Sequence, residues 1–169
     1  TFMRNGDHFG TYADHDRHYR EIARHSKRDA NAYDRYAADT SLQTKLIRPY
    51  LMRTPPDPTS LKPRDLRDLM EFAQSFMSLG EEKLLDTIKF WTASVGDYLN
   101  EYFETDAIKA HMAGSGIIGT ALGVYSPGTA YVLLHHYMGD VDGNVGAWGF
   151  ARGGMGAIAN ALSKAFQSF

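Results

Sequence analysis

The sequence contains no cysteine and no uninterrupted apolar run long enough to cross a bilayer. The absence of cysteine excludes disulfides and thiolate chemistry and is typical of a reducing compartment, so we expect a cytoplasmic protein. A net charge of −2 gives no electrostatic reason to expect nucleic acid as a partner. The 43% of hydrophobic residues and 22% of charged residues are ordinary for a soluble domain of 169 residues.

Charged side chains are also absent from one internal stretch, which runs from Ala110 to Gly139 and contains no Lys, Arg, Asp or Glu. Glycines and a proline interrupt it, so it does not resemble a membrane span. We expect most of it to lie in the core. Contact with another domain and contact with a membrane surface are the alternatives.

Both ends of the chain lack features that a complete protein usually has. There is no initiator Met, and no polar tail or C-cap glycine follows the last predicted helix. That helix has one apolar stripe with steps of three and four residues. The stripe consists of Met155, Ile158, Leu162, Phe166 and Phe169. We therefore expect a fragment of a larger protein, whose exposed apolar surface favours self-association.

Hydrophobic periodicity predicts a mainly α fold with a minor β component, organised as a single helical domain over 1–169. Asn5-Gly6 predicts a short N-terminal β-hairpin whose two turn residues both have positive φ. The proline-rich linker 53–63 is a possible boundary between subdomains. A strand is possible near 145–150. Helices are predicted from Asp14 or Asp16 to Ala38, over 42–51, 66–77, 84–91, 95–103 and 106–112, from Ser126 to Met138, and after Gly154.

One glycine pattern suggests a dinucleotide site, but its context argues against it. Gly114, Gly116 and Gly119 match G-x-G-x-x-G, and Asp140 lies downstream. The fingerprint requires a strand directly before it, whereas Asp106–Ala113 is predicted as a helix. We therefore interpret these glycines as the end of a helix and a place of close packing.

No catalytic or metal-binding group is predicted. Asp14, His15, Asp16 and His18 lie among several arginines, so a solvated helix face is favoured over a metal site. His135 and His136 are adjacent and would point in different directions on a helix. The sequence has no G-x-S-x-G, P-loop or H-E-x-x-H motif.

The segment Trp148–Gly156 combines aromatic residues, one arginine and paired glycines. Paired glycines allow a backbone to approach a flat ligand or another backbone closely. On a strand, Trp148 and Phe150 would share a face. From the residues alone, a packed strand-to-helix turn and a ligand-contacting turn both remain open.

Gly153–Ile158 with Ala161-Leu162 resembles a segment of the phytoene-desaturase-like FAD/NAD(P)-dependent oxidoreductases. Similar stretches are Ser94–Leu99, Asp106–Ala110 and Ser126–Ala130, in the order found in that family. The resemblance covers about Gly80 to Phe169. Its closest branch is that of the pyridine nucleotide-disulphide oxidoreductase-domain proteins.

The resemblance implies the substrate-binding region of an enzyme that transfers hydride from a hydrophobic substrate to FAD. It implies that Trp148, Phe150 and Arg152 line the substrate cavity, and that Gly153, Gly154 and Met155 lie near the cofactor. The N-terminal FAD fingerprint of the family is missing here. We therefore expect no FAD on this chain alone, no activity of the isolated segment, and an FAD-binding domain of the same polypeptide as its partner. The alternative is a stand-alone helical binding or protein-interaction module without catalytic activity.

Overall fold

The computed structural model describes residues 1–168, with Asn144 described by its backbone only. These residues form eight α-helices and one two-stranded hairpin, which confirms the predicted mainly α fold with minor β. Two compact units are present, Thr1–Met138 and Gly139–Phe169. The proline-rich stretch lies inside the first unit, and a subdivision there stays a prediction. None of the described helices combines the length and apolarity that crossing a membrane requires.

The first unit opens with a tight turn, where Phe2 and His8 form one antiparallel bridge. The amide of Gly6 donates to the carbonyl of Met3, so Gly6 follows the centre of the turn at φ +84°. Asn5 does not have a positive φ, and the predicted turn type was wrong. This arrangement needs only one left-handed residue, which glycine supplies without steric cost.

A single helix was predicted from Asp14 to Ala38, and this was wrong. The structure has two helices, α1 (His15–His25) and α2 (Lys27–Ile47). Asp14 caps α1 as expected. The break is at Ser26, which is extended at φ −154° and caps α2 by accepting a hydrogen bond from the amide of Asp29.

Helix α2 also contains most of the short helix predicted over 42–51, and a 3₁₀ turn at Arg48–Tyr50 follows it. After the irregular linker come α3 (Pro63–Met77) and α4 (Glu81–Thr92). Gly80, with φ +79°, separates these two helices. The predicted end of α3 before this glycine is confirmed.

Three shorter helices complete the first unit: α5 (Val95–Asn100), α6 (Asp106–Ala113) and α7 (Thr129–Tyr137). The predicted start of α7 at Ser126-Pro127 was wrong. Gly128 precedes the helix in the left-handed region, at φ +82°, and its amide donates to the last carbonyls of α4. This tertiary contact, rather than the local N-cap signal, determines where α7 begins.

The core of the first unit is rich in aromatic side chains. Tyr36 is 2% exposed, and its burial raises the pKa of its hydroxyl well above the usual value. Rings within about 6 Å of it belong to Tyr33, Tyr98, Tyr102 and Phe103. The uncharged stretch contributes Met112, Ala113, Ala130, Leu133, Leu134 and Met138 to the same core. The prediction that most of this stretch lies in the core was wrong, because the segment between α6 and α7 is largely at the surface, with Ile118 57% and Tyr125 67% exposed.

A buried carboxylate joins two distant parts of this unit. Asp29 is fully buried, and its oxygens accept hydrogen bonds from the amides of Glu104 and Thr105 at 2.7 and 3.0 Å. The Thr105 hydroxyl also donates to Asp29. Thr105 is the N-cap residue of α6, but its side chain does not cap that helix. Asp29 instead satisfies these backbone donors, which keeps a buried charge compensated.

Candidate functional site

The second unit begins with a hairpin of β1 (Asp140–Val141) and β2 (Asn144–Val145). Asp142 and Gly143 form its turn, and both have positive φ, at 52° and 82°. This two-residue turn with positive φ at both positions is the type that matches strand twist. The strand predicted over 145–150 was wrong beyond Val145, because the two-residue pairing with β1 ends there and 146–150 have no strand partner.

A two-glycine turn leads from this hairpin into α8 (Met155–Gln167). The amide of Gly154 donates to the carbonyl of Ala151 at 3.0 Å, which closes the turn. Gly153 and Gly154 have φ of +87° and +75°, values that side chains other than glycine rarely adopt. A Cβ atom on Gly154 would meet nothing within 4 Å, so the backbone here borders open space.

Helix α8 has an exposed apolar face, and none of its described residues is buried. The exposed fractions are 78% for Met155, 45% for Ile158, 68% for Leu162 and 83% for Phe166. Phe169, the last residue of the predicted stripe, lies outside the described residues. The predicted helix is confirmed, and its apolar stripe is confirmed from Met155 to Phe166.

The predicted substrate-binding residues lie just before this helix. Trp148 is 61% exposed and Phe150 is 91% exposed. Both belong to an irregular segment, so the argument that they share a strand face was wrong. Arg152 is exposed and lies in the glycine turn. A substrate-lining role for these three residues, and a cofactor-contacting role for Gly153, Gly154 and Met155, stay predictions.

The other glycine pattern has the packing role that its context predicted. Helix α6 precedes it directly, and a 3₁₀ turn covers Gly114–Gly116. A Cβ atom on Gly116 would come within 2.7 Å of the Cβ atom of Val95. The pattern therefore ends a helix and allows close packing, and no strand leads into it.

Two of the histidines singled out in the sequence, His15 and His135, have individual partners. His15 and Asp34 form a 2.8 Å hydrogen bond that raises the pKa of this exposed imidazole. His135 packs against the ring of Tyr131, and desolvation lowers the pKa of His135. Within residues 1–168, no three His, Asp or Glu side chains come together as a possible metal site.

A second group of imidazoles, around the buried ring of Phe9, had no signal in the sequence. His18, His25 and His111 all contact this ring, with centroids 6.3, 5.7 and 4.9 Å away. The predicted solvated position was wrong for His18, which is 4% exposed because it faces the core beside Ile22. Neither of its ring nitrogens has a hydrogen-bond partner. Burial consequently lowers the pKa of His18.

Sequence reasoning also missed two cavities in the first unit, because their walls come from distant parts of the chain. One is a polar cleft of about 510 Å³ along α2, α4 and α5. Gln43 is 5% exposed there; its amide nitrogen donates to Thr87 at 3.1 Å, while its carbonyl oxygen has no partner. Lys89 and Glu101 pair across 2.7 Å at the same cleft.

The other cavity, which we call the aromatic pocket, has a volume of about 440 Å³. It lies where the end of α2 and the 3₁₀ turn meet α3, α4 and α7. Its lining residues are Ile47, Tyr50, Leu51, Phe72, Trp91 and Tyr131. Neither cavity includes any of the predicted site residues.

Comparisons with known proteins identify relatives but no family model or solved structure. No protein-family model matches the chain. No solved structure is significantly similar to it. The chain is 33% identical over 152 residues to pyridine nucleotide-disulfide oxidoreductase domain-containing protein 2 of Mus musculus. It is 32% identical over 152 residues to the protein of the same name from Rattus norvegicus.

Each match covers 86% of this chain and 26% of the relative. The chain thus spans about a quarter of the length of the curated relatives it matches. The similarity supports the pyridine nucleotide-disulfide oxidoreductase-domain branch of the predicted family. At this coarse level, the chain resembles part of an oxidoreductase-domain-containing protein.

Proposed function

We propose that this chain is the substrate-binding region of an FAD-dependent, phytoene-dehydrogenase-like oxidoreductase of the cytoplasm. The observation that carries the proposal is the 33% identity over 152 residues to a relative named as an oxidoreductase-domain protein. The intact enzyme would transfer hydride from a hydrophobic substrate to the flavin. The isolated chain would be inactive, since it would hold only part of the site.

The apolar face of α8 supports a partner domain. Four large apolar side chains on it are at least 45% exposed, and Lys164 is the helix's only ionisable residue. A helix with such a face gains most of its stability by packing against another element. We propose that the FAD-binding domain of the same polypeptide covers it.

The two-glycine turn could form one side of a site for a flat cofactor. Gly154 borders open space, and no side chain caps the N-terminus of α8, so the backbone here can be approached closely. Gly153, Gly154 and Met155 would contact bound FAD from this edge. The sheet among the described residues is an antiparallel two-stranded hairpin, and no parallel βαβ unit that could hold the pyrophosphate is present there, so the rest of the cofactor site would come from the partner domain.

When bound, FAD supplies the hydride-accepting chemistry. The residues of this chain would orient the substrate and exclude water. Trp148 and Phe150 have large exposed rings suited to an apolar substrate, and Arg152 adds one cation beside the glycine turn. No residue of this chain is proposed as a catalytic acid or base.

The test is to purify the protein encoded by the whole gene and measure bound flavin by absorbance. We expect flavin in the unmodified protein. Gly154→Ala forces a side chain into a strained conformation and should raise the Kd for FAD at least about fivefold. Gly156→Ala is the matched control, because Gly156 lies within α8 with open space around it, and it should leave the Kd unchanged.

A whole-gene protein that carries no flavin, even after addition of FAD, would contradict the proposal. The stand-alone binding module would then be favoured. If the two glycine substitutions changed the Kd for FAD equally, the protein would still be a flavoprotein. The two-glycine turn would then not be part of its cofactor site.

A further inference from the structure

The aromatic pocket differs from the polar cleft of the same unit in its charge. No ionisable group other than tyrosine lines it, whereas the cleft is lined by both acidic and basic side chains. Four of its six lining residues are aromatic: Tyr50, Phe72, Trp91 and Tyr131. An apolar concavity with few polar groups is typical of small-molecule sites.

Ring contacts hold the walls of this pocket in place. The rings of Tyr50 and Phe72 meet edge to face at 5.1 Å, and those of Trp91 and Tyr131 do so at 5.8 Å. Phe76, behind the wall, packs edge to face on Trp91 at 5.1 Å. These contacts join the 3₁₀ turn, α3, α4 and α7, so the pocket is formed without a ligand.

Hydrogen-bonding groups at the pocket are few. The Tyr50 hydroxyl already bonds to the Ser75 hydroxyl at 2.6 Å. The indole N–H of Trp91 is buried and has no acceptor among the described residues, which is a costly state for a donor. Because this N–H is shielded and the Tyr50 hydroxyl is already bonded, the pocket offers a ligand few polar partners, which favours an uncharged, apolar ligand.

One ion pair adjoins the pocket beside Tyr50. Arg53 stacks over the Tyr50 ring at 5.6 Å, and its guanidinium lies 3.2 Å from a Glu71 carboxylate oxygen. A charged ligand would lose hydration in the pocket without gaining a counter-ion among the lining residues, which is unfavourable.

We infer that the aromatic pocket binds an uncharged, apolar small molecule. Its volume of about 440 Å³ lies within the range of known ligand sites. The inference goes beyond the proposed function and does not depend on flavin, since every wall residue belongs to the first unit.

Trp91 provides the readout, because the chain contains only two tryptophans. Trp148→Phe leaves Trp91 as the single tryptophan, and excitation at the red edge of the absorption band selects it over the ten tyrosines. The probes are methyl decyl ketone, used below its solubility limit, and dodecanoate, used below its critical micellar concentration; they have equal carbon number but differ in charge. We expect the ketone to change Trp91 emission saturably, with a Kd at least about tenfold below that of dodecanoate at neutral pH.

A pair of neighbouring substitutions tests the location. Leu51 lines the pocket and is 46% exposed, so Leu51→Glu places a carboxylate at the opening with little cost to folding. Met52 is 96% exposed and does not line the pocket, so Met52→Glu is the control. In the Trp148→Phe background, Leu51→Glu should weaken ketone binding at least about tenfold and Met52→Glu should not.

Circular dichroism and thermal melting establish that both variants are folded before binding is compared. The inference is overturned if the ketone gives no saturable change, if dodecanoate binds as tightly, or if the two glutamate variants behave alike. It is also overturned if light scattering shows a dimer that Leu51→Glu dissociates, because the pocket would then be a protein interface. None of these outcomes bears on whether the whole-gene protein binds FAD.

Discussion

Helices α7 and α8 both contain few charged residues, but α7 is largely buried and α8 is exposed. Among acidic and basic residues, α7 has only His135 and His136, and α8 has only Lys164. Yet α7 buries Thr129, Ala130, Leu133 and Leu134, whereas no described residue of α8 is buried. An apolar helix therefore reveals that it needs a partner, but not whether the same chain supplies it.

The difference follows from what surrounds each helix. Helix α7 begins where the Gly128 amide meets the end of α4, and Tyr131 packs on Trp91 of that helix. Helix α8 begins at a turn of two glycines that borders open space. The first unit therefore has a packed core, whereas helix α8 of the second unit has an exposed apolar face.

The largest expected effect is on the free energy of unfolding, and it compares a leucine of α7 with a leucine of α8. Leu133 is fully buried and Leu162 is 68% exposed. Leu133→Ala should lower the free energy of unfolding by about 3 kcal/mol, because it leaves a cavity in the core. Leu162→Ala should change it by less than about 0.5 kcal/mol. Urea denaturation followed by circular dichroism measures both, and equal losses would show that α8 is buried in solution.

The next prediction concerns the loss of stability of the first unit at low pH, since all seven histidines lie in that unit. Desolvation holds the pKa of His18 below its usual 6.5, with a smaller contribution in the same direction from His15. As the pH falls below about 6.5, the unfolded chain takes up a proton that folded His18 resists, so stability falls until the pH reaches the lower pKa of the folded state.

His18→Phe should flatten this acid-induced loss, as measured by urea midpoints across the pH range. His15→Gln on the same helix is the contrast. The pKa of His15 is raised by its hydrogen bond to Asp34, so its contribution to stability is present below pH 6.5 and lost above it. Removing it should steepen the acid-induced loss, and a flatter profile in His15→Gln would contradict this assignment.

The smallest effect on stability concerns association through α8. The exposed face predicts self-association of the chain at high concentration. Leu162→Glu should shift light scattering toward monomer while leaving the unfolding midpoint nearly unchanged. Asn160→Glu adds the same charge at an exposed polar position and should leave association as it was. A sharp monomer in the unmodified chain would contradict the prediction.

Periodicity was enough to predict most of the helices. The apolar spacing over 66–77 and the glycine after it gave α3 and its end, and the stripe from Met155 gave α8. The errors came where a tertiary contact or a single cap competes with local preference. Ser26 breaks a helix that periodicity made continuous, and Gly128 moves the start of α7.

The candidate sites were harder to predict from the sequence than the helices. The two-glycine turn could be noticed because its residues are adjacent in sequence. The aromatic pocket could not, because Tyr50, Phe72, Trp91 and Tyr131 are far apart in the chain and each is equally typical of an ordinary core position. The imidazoles around Phe9 were missed for the same reason.

The sequence by itself determined that this protein is mainly helical, that its last helix has an apolar face, and that two glycines precede that helix. Hydrophobic period and glycine stereochemistry are local properties, so they can be read without a structure. Only the tertiary structure decided which apolar residues are buried, where α7 begins and which rings enclose a pocket. Burial depends on contacts between distant segments, and these contacts place Leu133 in a core and leave Leu162 exposed.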